Sequence, residues 1–68
     1  MSARRLGKNI AGLRLKAGLT QDQLAEKLDV TTRYLQKLEG GIHTPSLALL
    51  LNLRKMLKAD WTELLFDL

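Results

Sequence analysis

The chain has 68 residues, of which 46% are hydrophobic and 26% charged, and this composition predicts one folded domain over 1–68 rather than a disordered chain. It contains no cysteine, which excludes disulfides and thiolate metal sites and is compatible with the cytoplasmic location that we expect. The longest apolar run, 47–51, is far shorter than the roughly 18 residues of a membrane span, and the basic start lacks the apolar stretch of a secretory signal, so no membrane contact is expected.

The charges are unevenly spread along the chain. Eleven basic and seven acidic residues give a net charge of +4. All the Lys and Arg lie in 1–58 with four of the acids, whereas 59–68 hold three acids and no base. A basic body attracts polyanions such as nucleic acid, although many basic proteins have other partners.

The fold class predicted from the residue pattern is all-α, a compact bundle of five short helices. No segment alternates β-branched and polar residues, so no strand is expected. The first helix is predicted over 3–17, where Leu6, Ile10 and Leu13 recur at helical spacing and Gly18 follows as a natural end.

The second and third helices each begin after a capping residue. Thr20-x-x-Gln23 is a capping box, in which each side chain bonds a free backbone N–H of the other, and the helix runs to about 28. Asp29 tolerates the left-handed conformation of a tight turn. Thr31 then caps a third helix over 32–39.

The last two helices are marked by further caps. Gly40 and Gly41 end the third helix, and Ser46 caps a fourth over 47–57. A second capping box, Asp60-x-x-Glu63, opens a terminal helix over 61–66. The core stripe of these two helices is predicted to consist of Leu47, Leu50, Leu53, Leu57, Leu64 and Leu65, together with Trp61.

The second and third helices, joined by a short turn, have the layout of a helix-turn-helix, and Ala25 is small enough to let them cross closely. In this motif the second of the two helices enters the DNA major groove, which is about 12 Å wide and admits one α-helix. The outward residues of the third helix are polar and none is acidic, which suits a surface that faces DNA: Thr32, Arg33, Gln36 and Lys37.

Several spaced motifs run through the same region. They are Leu19-Thr20-Gln21-Asp22-Gln23-Leu24-Ala25-Glu26-Lys27-Leu28, Val30-Thr31, Tyr34-Leu35-Gln36-Lys37-Leu38-Glu39, Gly41 and Thr44-Pro45-Ser46-Leu47. Together they closely resemble the Cro/lambda-repressor-like helix-turn-helix family, and the similarity extends over roughly residues 6–65. The resemblance implies a five-helix domain that binds a palindromic operator as a homodimer and regulates transcription, for example as a repressor.

The resemblance also implies roles for individual residues. Arg14 and Glu39 match a structural pair that ties the first helix to the end of the third. The expected base contacts are Thr32, Arg33, Gln36 and Lys37. The expected phosphate contacts are Gln21 and Tyr34, and His43 is expected near phosphate because of its own place in the loop rather than because of the resemblance.

The sequence departs from the family pattern at several positions. Asp29 and Lys58 stand where the family often has Gly, and Ile42 stands where a basic residue often contacts phosphate. The basic residues Arg4, Arg5 and Lys8 are candidates to replace that missing contact. Apolar side chains at positions that the family usually leaves polar indicate a partner-binding surface, and they are Leu15, Ala48 and Leu49.

Two alternatives stay open at this point. The chain could be a protein-interaction module, such as an antitoxin or an adaptor, or the DNA-binding part of a longer regulator. An enzyme is not expected, because no combination of acid, base and nucleophile is visible. No metal, cofactor or small-molecule substrate is expected either, because His43 is the only histidine.

Overall fold

Five helices account for most of the chain in the computed structural model, which describes residues 2–68. They are α1 (Ala3–Lys16), α2 (Gln21–Leu28), α3 (Thr32–Glu39), α4 (Leu47–Leu57) and α5 (Trp61–Leu64). No strand occurs within residues 2–68, so the predicted all-α architecture is confirmed. Over the same residues, no helix is long and apolar enough to cross a membrane.

Every helix begins at a residue whose side chain accepts a hydrogen bond from the backbone of the first turn. These caps are Ser2, Thr20, Thr31, Ser46 and Asp60. Both predicted capping boxes are present, at α2 and at α5. Such caps matter in short helices because four N–H groups at each start lack intrahelical partners.

Two helices end at residues in the left-handed conformation, Asp29 with φ 57° and Lys58 with φ 51°. Asp29 makes the sharp turn from α2 to α3, as its sequence position predicts. Val30 follows and packs against the core at that corner.

The terminal helix is shorter than predicted, because α5 ends at Leu64 rather than at 66. The side-chain amide of Asn9 donates hydrogen bonds to the backbone oxygens of Leu64, at 3.0 Å, and Phe66, at 2.8 Å. The Leu64 oxygen is thus occupied by a side chain of α1, and Asp67 takes a left-handed φ of 58° that ends the helical path.

The core is formed almost entirely by leucine. α1 packs on α3, α4 and α5, and α2 packs on α3 and α4. Judged by the exposure of the whole residue, backbone included, no polar or charged residue of the described chain belongs to this core. The buried hydrophobic residues are Leu6, Ile10, Leu24, Ala25, Leu28, Leu35, Leu38, Leu53, Leu57, Ala59 and Leu64.

Three core predictions were wrong. Leu47 is 72% exposed, because it lies about 120° around α4 from the buried Leu53. Leu65 lies just beyond the end of α5 and is exposed. Trp61 is 38% exposed, and its ring stacks against the guanidinium of Arg54, with 5.3 Å from Cζ to the ring centroid, instead of entering the core.

Candidate nucleic-acid interface

Helix α3 presents one polar face to solvent and one apolar face to the core. Leu35 and Leu38 are fully buried, which fixes the rotation of the helix about its axis. Arg33 and Gln36 are exposed on the opposite side, whereas Thr32 and Lys37 are half-buried at its margins. The four predicted base-contacting residues therefore all lie on α3 with some surface open to solvent.

The start of α3 is held by a hydrogen bond from the preceding helix. The Thr32 hydroxyl donates to a carboxylate oxygen of Asp22 in α2 at 2.7 Å. The hydroxyl proton of Thr32 is therefore already engaged within the protein. No local pattern of the sequence links two residues ten positions apart, so the role of Asp22 becomes visible only in the structure.

The end of α3 is held by an ion pair. The Nε of Arg14 donates to Glu39 at 2.8 Å and its Nη2 donates to the other carboxylate oxygen at 3.3 Å, so the contact is bidentate. Only 12% of the Arg14 side chain and 7% of the Glu39 side chain are exposed. Arg14 also donates to the backbone oxygen of Leu19, which ties α1 to the start of the helix-turn-helix as well as to its end.

Glu39 also orients the predicted phosphate-contacting residue of α2. The Gln21 amide nitrogen donates to Glu39 at 3.0 Å, and the Gln21 amide oxygen accepts from the Gln36 side chain at 3.4 Å. One network thus joins Arg14, Glu39, Gln21 and Gln36 across three helices. Side chains restrained in this way lose less conformational entropy when they meet a ligand.

The loop after α3 is packed back onto that helix. The rings of Tyr34 and His43 stack with centroids 5.5 Å apart and an interplanar angle of 14°. Both residues are predicted phosphate contacts, and their contact with each other does not follow from the sequence pattern.

The start of α1 lies beside this loop. Gly41 has a φ of +78°, and a Cβ built on it would come within 2.6 Å of the Arg4 Cα. Arg4 is exposed there, whereas Arg5 pairs with Asp67 at 3.5 Å near the other end of the chain. Among the three basic residues near the N-terminus, Arg4 is thus the one that lies next to the loop in which Ile42 stands in place of a basic residue.

Comparison with known proteins agrees with this geometry. A sequence model of the helix-turn-helix family matches residues 10–64. The fold superposes on the crystal structure of the clp gene regulator ClgR from C. glutamicum with a TM-score of 0.89 and 31% identity, covering 96% of this chain and 83% of that one. The chain is also 53% identical over 38 residues to an uncharacterized HTH-type transcriptional regulator of Rickettsia conorii.

The chain belongs to the Cro/C1-type helix-turn-helix family, whose fold is that of DNA-binding transcriptional regulators. The resemblance inferred from the motifs is thereby confirmed. The stretch shared with the Rickettsia protein is 56% of this chain and 30% of that relative's length.

Proposed function

We propose that this chain binds duplex DNA sequence-specifically, with α3 in the major groove, and regulates transcription from the site it occupies. The observation that carries the proposal is the polar face of α3, which is tethered at its start by Asp22 and at its end by the Glu39 network. A helix fixed at both ends presents Thr32, Arg33, Gln36 and Lys37 to base edges in one register.

Phosphate contacts on either side of the groove fit the same docking. Gln21 lies at the first position of α2, where free backbone N–H groups favour an anion. The Tyr34–His43 stack and Arg4 lie beside the loop after α3, and we assign them to phosphate on that side.

A two-fold dimer on a palindromic operator is part of this proposal. Leu47 and Leu51 lie one turn apart on the outer face of α4 and are 72% and 40% exposed. An exposed apolar face of this kind supports self-association. Two half-sites would then lie about 34–36 Å apart along the duplex.

A second candidate function is a protein-interaction module, such as an antitoxin or an adaptor. It is favoured by the exposure of Leu15, Ala48, Phe66 and Leu68, four apolar residues outside the α3 face. Leu49, in contrast, is half-buried and packs against the core.

Selection from random duplexes, followed by a salt series, distinguishes these functions. Operator binding predicts an enriched palindrome that is preferred over scrambled DNA by about 10³ or more. No enriched site, together with weak binding that disappears as salt rises, would leave only nonspecific electrostatics and favour the interaction module.

Arg33→Ala tests the assigned docking. We expect a loss of about 1–3 kcal/mol on the selected operator and a relaxed preference at one base pair, because Arg33 is exposed on α3. Lys55→Ala, which removes an exposed charge from α4, is the matched control and should leave base preference unchanged. Equal weakening by Arg33→Ala on all sequences would make Arg33 a phosphate contact instead.

A further inference from the structure

A groove crosses the molecule where the last turns of α1, α2 and α4 meet α5. It contains a cavity of about 400 Å³, with an apolar floor that includes Leu13, Leu19 and Leu57. Its rim carries three lysines, Lys16, Lys27 and Lys58, and we call it the lysine groove.

The lysine groove continues beyond this cavity. A second, shallower cavity of about 470 Å³ lies between α1 and α5 and shares Leu13, Lys16 and Glu63 with the first. The two meet at the exposed ion pair of Lys16 and Glu63, whose charged atoms are 3.4 Å apart. Two adjoining cavities suit a polypeptide segment, which can occupy both, better than a compact small molecule, which would fill one.

The rim has an excess of positive charge. Within residues 2–68, no carboxylate lies within salt-bridge distance of Lys27 or Lys58. Lysines in the last turn of a helix also complement its dipole, which accounts for Lys16 and Lys27 individually. The helix dipole does not explain why an open apolar surface lies between Lys16 and Lys27.

Lys58 occupies its place on the rim in an unfavourable backbone conformation. Its φ of 51° lies in the left-handed region, where glycine is the usual residue after a helix. A lysine retained there keeps an ammonium group at the groove. Strained residues of this kind concentrate at functional positions.

The lysine groove is separate from the candidate DNA surface. No residue of α3, or of the loop that follows it, lines either cavity. α2 begins with Gln21 beside α3 and reaches the groove only with Lys27 in its last turn. Both surfaces can therefore be occupied at once.

We propose that the lysine groove is a docking site for an acidic amphipathic segment of a partner protein. Apolar side chains of that segment pack on Leu13 and Leu57, and its carboxylates pair with Lys27 and Lys58. This inference goes beyond DNA binding and does not depend on it.

The test uses the full chain and a short, fluorescein-labelled synthetic amphipathic helix of Leu and Glu. Two matched peptides serve as controls, one with Lys in place of Glu and one with Ala in place of Leu. We expect the Leu–Glu peptide alone to bind by fluorescence anisotropy, and its amide chemical-shift changes to fall on Leu13, Leu19 and Ala59 rather than on α3.

Lys58→Gly separates binding from stability. Replacing Lys58 by glycine is expected to raise Tm by a few degrees, because glycine accepts the left-handed backbone conformation of this position. The same substitution removes an ammonium group from the rim and should lower the affinity for the peptide by about threefold. Asp29→Gly relieves the same kind of conformation at a residue that lines neither cavity, and it should raise Tm without lowering the affinity for the peptide. The double variant Lys27→Glu/Lys58→Glu should lower the affinity for the peptide by about tenfold or more, whereas Lys55→Glu should leave that affinity unchanged.

Several results would overturn the proposal. Shift changes centred on α3 would mean that the peptide imitates DNA. Lys55→Glu changes the net charge by half as much as the double variant, so weakening of peptide binding by half the free energy lost in the double variant would mean that net charge alone attracts the peptide. If decanoate displaced the labelled peptide equally strongly, the occupant would be a small amphipathic acid. If sedimentation without peptide showed dimers that disappear in Lys58→Gly, the occupant would be a second copy of the chain.

Discussion

Gly7 marks the closest approach of α1 to α3. A Cβ at this position would lie 2.4 Å from the backbone oxygen of Glu39 and 2.6 Å from that of Leu38. Backbone atoms cannot move aside as the end of a flexible side chain can. Because Gly7 has no side chain, the end of α3, which carries Glu39 of the ion pair, can approach α1 this closely.

Gly7→Ala should destabilise the protein by about 1–3 kcal/mol, because the two helices must separate. Gly12→Ala is the matched control in the same helix, since nothing lies within 4 Å of a Cβ built there. That variant should stabilise by about 0.8–1 kcal/mol through helix propensity alone. Urea unfolding measures both changes, and two variants that stabilise alike would refute the close-packing argument.

Local contacts at the residue scale were predicted from spacing, whereas among the non-local contacts only the Arg14–Glu39 pair was expected, and it was expected from the family resemblance alone. Caps such as Thr20 and Asp60 follow from spacing within one turn, and both are found. The role of Gly7 and the Asp22–Thr32 bond depend on which helices meet, and no local pattern in the chain encodes that.

Helix α5 shows the same contrast between local and non-local signals at the scale of a secondary-structure element. Its start was predicted from the capping box, whereas its end is set by Asn9, which lies 55 residues earlier than Leu64. The bounds of α2, α3 and α4 agree with prediction. Both ends of α2 and α3 carry local signals, whereas α4 carries one only at its start, the Ser46 cap.

Asn9→Ala should loosen the end of α5 and little else. The substitution removes two hydrogen bonds to backbone oxygens, worth about 1–2 kcal/mol together because they are partly exposed. We expect faster amide hydrogen exchange over 64–68 with unchanged exchange in α3. Faster exchange throughout the chain would show instead that α5 opens only with the whole domain.

At the scale of the whole molecule, apolar residues of the core could not be distinguished from apolar residues of an interface by sequence alone. α4 and α5 carry more apolar residues than a small core can hide, and spacing alone does not say which ones stay outside. Three of these residues, Leu47, Leu65 and Trp61, were predicted to be buried and are exposed.

Leu51→Glu tests the proposed dimer at this scale. A charge on the outer face of α4 should leave affinity for a half-site unchanged and lower affinity for the full palindrome by about a hundredfold, since the two half-sites are no longer bound together. Leu15→Glu places the same charge on the exposed side of α1 and is the control. Loss of half-site affinity in Leu51→Glu would indicate a folding defect rather than a lost interface.

The stacking of Trp61 on Arg54 has an optical consequence. Trp61 is the chain's single tryptophan, and its indole lies at the junction of α4 and α5, outside the leucine core. Its emission is therefore a built-in reporter of that junction, and because Trp61 is partly exposed to water we expect a red-shifted spectrum in the native state. A partner that covers the junction should shift the emission to the blue without any added dye, whereas events confined to α3 should leave the spectrum unchanged.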